Sequence, residues 1–218
     1  MASSPFTPAF DCLPETIPIF PLTGVLLLPG GRLPLNVFEP RYLAMTEDSL
    51  RSDRLIGMIQ PSDFSDGAAP PVFSKGCAGR ITSFSETDDG RYLITLAGLC
   101  RFSVVAELPL QRCGYRRVAV DWTAFRTDME ESCACELDRK SLIPMLQAYF
   151  RRQGLSANWE AIESAPDEKL VTTLAMICPF EPMDKQALLE AATASDRARM
   201  MMALMQLAVV DGGEQLRH

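Results

Sequence analysis

The stretch that decides the fold is Ile17 to Tyr42, IPIFPLTGVLLLPGGRLPLNVFEPRY. Short apolar runs alternate here with Pro and Gly punctuation, and one charged knot closes it: Glu39-Pro40-Arg41-Tyr42. Thr16 to Phe20, Val25 to Leu28 and Leu33 to Phe38 each read as a short extended run, with Pro29-Gly30-Gly31 as a turn. Pro18, Pro21 and Pro34 remove backbone donors, which predicts edge strands or bulges. After Pro40 the period changes. Tyr42, Met45, Ser49 and Leu50, with Arg41, Glu47, Asp48 and Arg51 between them, suit a short amphipathic helix, and Pro40 fits its first turn.

Outward from this stretch the chain stays β-rich for about a hundred residues. Leu55 to Ile59 and Gly76 to Phe84 read as strands. Asp88-Asp89-Gly90 is a hairpin turn into Arg91 to Leu96. Gly98 predicts a bulge, Arg101 to Glu107 continues extended, and Tyr115 to Trp122 alternates. About seven or eight strands and one helix predict a closed or strongly curved sheet. Gln60 to Pro71 is a Pro-, Asp-, Ser- and Gly-rich loop.

From Asp128 the pattern turns helical. Cys135 to Arg152 reads as one helix, kinked or started late by Pro144 and ended by Gly154. Ser156 is a candidate cap for a turn through Ile162. Pro166 to Ile177 and Met183 to Ala191 follow. Thr193 and Asp196 form a capping-box pattern for Ala194 to Val210. Met200, Met201, Leu204, Leu207 and Ala208 are its expected apolar face. The organisation expected is a loose tail over 1–15, a β-rich subdomain over 16–125, a helical subdomain over 126–210 and a polar tail over 211–218.

Composition narrows the function. A chain of 218 residues, 47% hydrophobic and 22% charged, folds without a disulfide or metal staple. Residues 1–125 carry 11 basic and 13 acidic side chains and residues 126–218 carry 10 and 15, balances of −2 and −5 within the net −7. Neither half has the basic excess that phosphate binding rewards. Seven cysteines, unevenly spaced, with no signal-peptide pattern at the N-terminus, fit reduced thiols in the cytoplasm. Met200 to Val210 is too short to span a bilayer.

His218 is the single histidine and the last residue, which removes His-based triads and His-rich metal sites. There is no G-x-x-x-x-G-K-[ST] loop and no G-x-S-x-G elbow. Catalysis would have to rest on carboxylates, thiols or a Ser/Lys pair. No cofactor is expected. Cys133-Ala-Cys135 is the tightest thiol pair, read as incidental rather than metal-binding. Arg112, Arg116 and Arg117 would be the contacts of an RNA-binding alternative, against which a solvated strand edge is weighed. Met200, Met201, Met202 and Met205 read as core. Glu39 and Arg41 either brace the corner between strand and helix, with Tyr42 packed beneath, or rim a peptide groove together with Phe38.

Several segments carry a family resemblance: Ile19-Phe20-Pro21-Leu22, Leu28-Pro29-Gly30, Leu33 to Tyr42, Ile56-Gly57-Met58, Gly79, Leu96 to Phe102, Lys185 to Glu190 and Asp196-Arg197. Together they resemble the N-terminal substrate-recognition domain of the Lon proteases over most of residues 16–207. The FEPRY element followed by G-x-x-RF is the specific part. The resemblance implies an α+β fold, a PUA-like curved β-barrel or paired-sheet subdomain followed by a helical bundle. It also implies recognition of unfolded or tagged protein, with ATPase and Ser/Lys protease modules lying elsewhere. The expected function is therefore non-catalytic binding of unfolded or extended polypeptide, or an adaptor role toward a protease or chaperone. Phe38, Glu39, Arg41 and Tyr42 are the candidate contacts. A homo-oligomer is compatible; membrane and nucleic acid are disfavoured as partners, and an orphan peptidase is the least favoured reading.

Overall fold

The computed structural model describes residues 8–63, 70–110, 114–130 and 135–214. It is α+β. The chain forms two compact units, Met1–Ser132 and Cys133–His218.

The first unit is built on six strands among the described residues: β1 (Thr16–Pro21), β2 (Arg32–Val37), β3 (Leu55–Ile59), β4 (Lys75–Glu86), β5 (Tyr92–Glu107) and β6 (Arg116–Asp121). Helix α1 (Pro40–Arg51) lies between β2 and β3 in the chain. The order β2-β5-β4-β3-β1-β6, with a further β5–β6 pairing, closes the last five strands into a barrel and leaves β2 attached outside it on β5. β1 and β3 are parallel, which requires a crossover, and α1 lies in that connection.

The seven or eight expected strands resolve into six for two reasons. Tyr92 to Glu107 is one long strand with a bulge, because the β4–β5 register skips between Ala78/Cys100 and Gly79/Gly98, as Gly98 predicts. Val25 to Leu28 is not a strand at all. Leu26, Leu27 and Leu28 are buried, and the chain just after them is tied to the bulge: Gly30 N–H donates to Gly98 O (3.0 Å) and Gly98 N–H to Gly31 O (2.9 Å). A Cβ on Gly98 would lie 2.0 Å from Leu28 O, so only glycine permits this approach. The segment plugs the core instead of joining a ladder.

The edge prediction holds for β2, whose described pairing is with β5 alone, and fails for β1. β1 is interior, between β3 and β6. Pro18 is tolerated because pairing with β3 begins only at Ile19, and Pro21 is the last residue of the strand. β6 is likewise interior, between β1 and β5, so Arg116 and Arg117 are not a solvated edge.

Phe102 fills the barrel. It is fully buried, meets Trp122 edge-on at 5.9 Å and packs with Ile17, Ile19, Val118 and Phe125. A 3-10 segment over Thr123–Met129 belongs to this unit. Its Phe125 enters the core, and its Asp128 grips the buried Arg101 through Oδ1–NH2 (2.7 Å) and Oδ2–Nε (2.9 Å). Residues 8–15, expected as a loose tail, pack here too, with Trp122 Nε1–H donating to Pro14 O (2.9 Å). Residues 64–69 of the expected 60–71 loop lie outside the described residues.

The second unit holds α2 (Arg139–Gln153), α3 (Trp159–Ser164), α4 (Asp167–Ile177), α5 (Pro182–Glu190) and α6 (Ala194–Glu214). α2 starts later than Cys135 because Asp138 supplies the cap, accepting from Lys140 and Ser141 N–H, and Pro144 sits inside the helix. Gly154 ends it at φ 66°, in the left-handed region. Asn158, not Ser156, caps α3. Thr193 Oγ1 accepts from Asp196 N–H (3.0 Å) at the start of α6, as the capping pattern predicts. α6 continues past Val210. Its buried face is Arg197, Ala198, Met201 and Met205, whereas Leu207 is exposed. Arg197 shifts that face, because its Nε–H donates to Leu188 O (2.9 Å) on α5. Met200 and Met202 are half-buried.

Candidate peptide-binding edge

The candidate contacts fall where β2 ends and α1 begins. Val37 is the last, buried residue of β2; the next side chain alternates outward, so Phe38 stands 61% exposed. Glu39 is extended and occupies the N-cap, while its carbonyl receives Tyr42 and Leu43 N–H. Pro40 takes the first helical position, where a missing N–H costs nothing.

Glu39 and Arg41 are paired, Oε2 receiving Nε–H at 2.9 Å and NH2 at 2.8 Å. Both side chains remain about two-fifths exposed, so the pair is worth at most ~1 kcal/mol. It is an external brace and not a buried one. The Arg41 guanidinium lies 4.6 Å over the Tyr42 ring, which stacks on Phe20 at 4.1 Å between centroids. Burial pushes the Tyr42 phenol up, against the opposing pull of Arg41. Tyr42 is therefore core. As a peptide contact it is corrected: its faces are covered by Phe20 and Arg41. Of the four candidates, Phe38 presents apolar surface, and Glu39 and Arg41 flank it in sequence.

Two further exposed apolar side chains lie on the adjoining strands. Beyond Ile81, β4 leaves the barrel, and its burial falls away from Thr82 to Glu86. There it pairs with the start of β5, which also carries β2. Leu35, Ile94 and Phe84 form one cross-strand row; Asn36, Leu93 and Ser85 form the next, on the opposite face. Phe84 is 43% exposed and meets Tyr92 edge-on at 5.0 Å. Leu93 is exposed on the other face. Tyr92 O–H donates to Glu47 Oε1 of α1 (3.0 Å), which anchors this three-stranded flap to the helix. Neither Phe84 nor Leu93 stood out in the sequence. The signal was present as apolar residues persisting on both faces of a strand that continues past its buried half.

A cleft of about 330 Å³ lies between the end of α1 and the start of β1 and β6, lined by Asp48, Ser49, Asp53, Tyr115 and Arg117 among others. Two of its charges are engaged: Tyr115 O–H donates to Asp48 (2.8 Å) and Arg117 NH2 to Thr16 Oγ1 (2.7 Å).

Two of the three arginines named for the RNA alternative are engaged within the fold. Arg116 is buried, with NH1 donating to Pro70 O (2.8 Å) and Nε and NH2 to Glu107 (2.7 Å each). Arg117 is held by Thr16, and Arg112 lies outside the described residues. Three of the thiols offer little nucleophilicity. Burial pushes Cys100 and Cys178 up to about 12 and also raises Cys135, which keeps them protonated at neutral pH. Cys133 lies outside the described residues. Among the described residues no group of three His, Cys, Asp or Glu is placed to hold a metal, and no helix is long and apolar enough to cross a membrane.

The family model for the ATP-dependent protease La (LON) substrate-binding domain matches residues 16–206. "Lon protease 2" of Myxococcus xanthus is 28% identical over 88% of this chain, and "Lon protease" of Anaeromyxobacter dehalogenans is 26% identical over 88%. The chain spans about a quarter of the length of these curated relatives: 24% and 23%. Among solved structures, the Lon N-terminal domain protein from Xanthomonas campestris superposes with a TM-score of 0.61 at 24% identity, covering 86% of this chain and 97% of that one. The N-terminal domain of the Mycobacterium avium complex Lon protease gives 0.56 at 16% identity, covering 88% and 98%. These two likenesses are of fold.

Proposed function

Because the chain belongs to the LON substrate-binding domain family, we propose that it captures extended or unfolded polypeptide without acting on it chemically, delivering it as an adaptor to a protease or chaperone in the cytoplasm. One observation carries this reading. β2 offers an edge with no described partner, and an exposed phenylalanine stands at its end. An extended segment laid along β2 would gain main-chain hydrogen bonds from the edge and side-chain burial against Phe38. Glu39 and Arg41 would flank that contact, and the brace they form would hold the corner between β2 and α1. Pro34 breaks the row of donors on β2, which limits self-pairing between copies of the protein.

The test is a fluorescence-anisotropy titration of a labelled, permanently unfolded protein. Saturable binding is expected in the micromolar range, weakened in Phe38→Ala. Absence of binding to the parent protein at the highest soluble concentration would overturn the reading.

A further inference from the structure

On the outer face of the sheet, where the flap joins the barrel, two arginines stand across one small residue. Arg32 of β2 and Arg80 of β4 are both directly opposite Ala97 of β5. Opposed residues in adjacent strands share a face, so the three side chains form one row. The next row, Leu33, Leu96 and Ile81, points the other way: Leu96 and Ile81 are buried. With strands ~4.8 Å apart, the two arginine Cα atoms are about 10 Å from each other. Ala97 puts only a methyl between them.

Arg32 is exposed and Arg80 half-buried. Among the described residues neither guanidinium has a hydrogen bond or an ion pair. This is notable in a chain of net charge −7, where carboxylates outnumber cations. Beside the row lies a cleft of about 290 Å³, lined by Arg80, Ala97, Gly98, Leu99 and Met129 together with Asp128. Asp128 does not neutralise Arg80, because both its oxygens are engaged by Arg101, Oδ2 by the backbone N–H as well. The β4–β5 register skips at Gly98, next to this row.

We propose that Arg32, backed by Arg80, forms a carboxylate clamp, so that the bound polypeptide carries an aspartate or glutamate at one fixed register position. This rests on the polypeptide-binding reading of the β2 edge. A strand added to β2 places one of its residues opposite Arg32 and on the same face. A carboxylate there stands next to Arg32, whose planar guanidinium fork matches its two oxygens, and about 14 Å from Arg80 between Cα atoms, so that Arg80 adds attraction at longer range across the Ala97 methyl. The remaining side chains of the segment would be free to be apolar.

The test uses the full chain and short fluorescein-labelled apolar peptides in which one glutamate is moved position by position, with glutamine at the same position as reference. At one position glutamate is expected to tighten binding roughly three- to tenfold over glutamine at low salt, the gain shrinking as salt rises. In the Arg32→Gln/Arg80→Gln variant the gain of glutamate over glutamine disappears. Glutamine peptides that bind with no gain from glutamate at any position overturn the clamp and leave the edge reading standing. A gain that survives in the double variant also overturns the clamp. If no peptide of either kind binds the parent protein, the clamp and the edge reading fall together.

Discussion

β4 is a single strand with two fates. From Gly76 to Gly79 every residue is buried, and from Thr82 to Glu86 every residue is exposed. The first half lies in the closed barrel, where β3 and β5 flank it and Phe102 fills the interior so tightly that a Cβ on Gly76 would lie 2.5 Å from the Phe102 ring. The second half pairs with β5 alone, in the flap that carries β2. Closure removes edges and makes residues indispensable for stability. Where the sheet leaves the barrel, edges and aromatic faces become available to something else.

Paired substitutions test this contrast. Phe102→Ala is expected to cost about 3–5 kcal/mol in urea unfolding, whereas Phe84→Ala on the flap costs about 1 kcal/mol or less. Similar losses at the two positions would break the comparison. Asp128→Ala strands Arg101 without its buried partner and should cost about 3 kcal/mol, readable as a lowered thermal midpoint. Gly98→Ala forces Leu28 O away from the bulge, at a cost of about 1–3 kcal/mol; a neutral result would show that the plug segment can shift freely.

Glu107→Gln sharpens the barrel side. The Arg116 guanidinium, hydrogen-bonded to Glu107, holds that carboxyl below its usual range. A depressed folded-state value stabilises above the unfolded value and is lost as pH falls through the folded one. The variant should be less stable at pH 7 by about 1 kcal/mol, given a carboxylate nearly half exposed. Its deficit against the parent should close as the pH falls below the ordinary carboxylate range. A deficit independent of pH in acid unfolding would assign the loss to packing instead. Phe38→Ala should have the smallest effect on stability, within about 0.5 kcal/mol, while weakening polypeptide binding. A large loss of stability there would move Phe38 from the flap surface to the core.

Most of the element order was legible because Pro, Gly and apolar period act locally. Pro40 opening a helix, the Asp88-Asp89-Gly90 hairpin, the Gly98 bulge and the Thr193 cap all follow from backbone geometry within a few residues. The failures share one cause. Val25 to Leu28 has strand composition, yet no partner strand reaches it. Pro18 suggested an edge, yet the ladder to β3 starts one residue later. Arg116 and Arg117 looked like a solvated pair, yet β6 closes the barrel between β1 and β5. The residues that carry the resemblance turn out to hold the fold: Gly98 meets Leu28, Arg101 is held by Asp128, and Phe102 fills the barrel.

The charged knot at the end of Ile17–Tyr42 divides in the same way. From the sequence alone came the helix start at Pro40, the strand before it, Phe38 as a candidate contact and the family to which these residues point. Only the tertiary structure decided that Tyr42 is sealed under Phe20, that Glu39 and Arg41 pair at the surface, and that Phe84 and Leu93 join β2 in one flap from strands far away in sequence. The physical reason is range. Dihedral preferences and capping act within one turn of chain, whereas burial and pairing depend on which strands the barrel brings together.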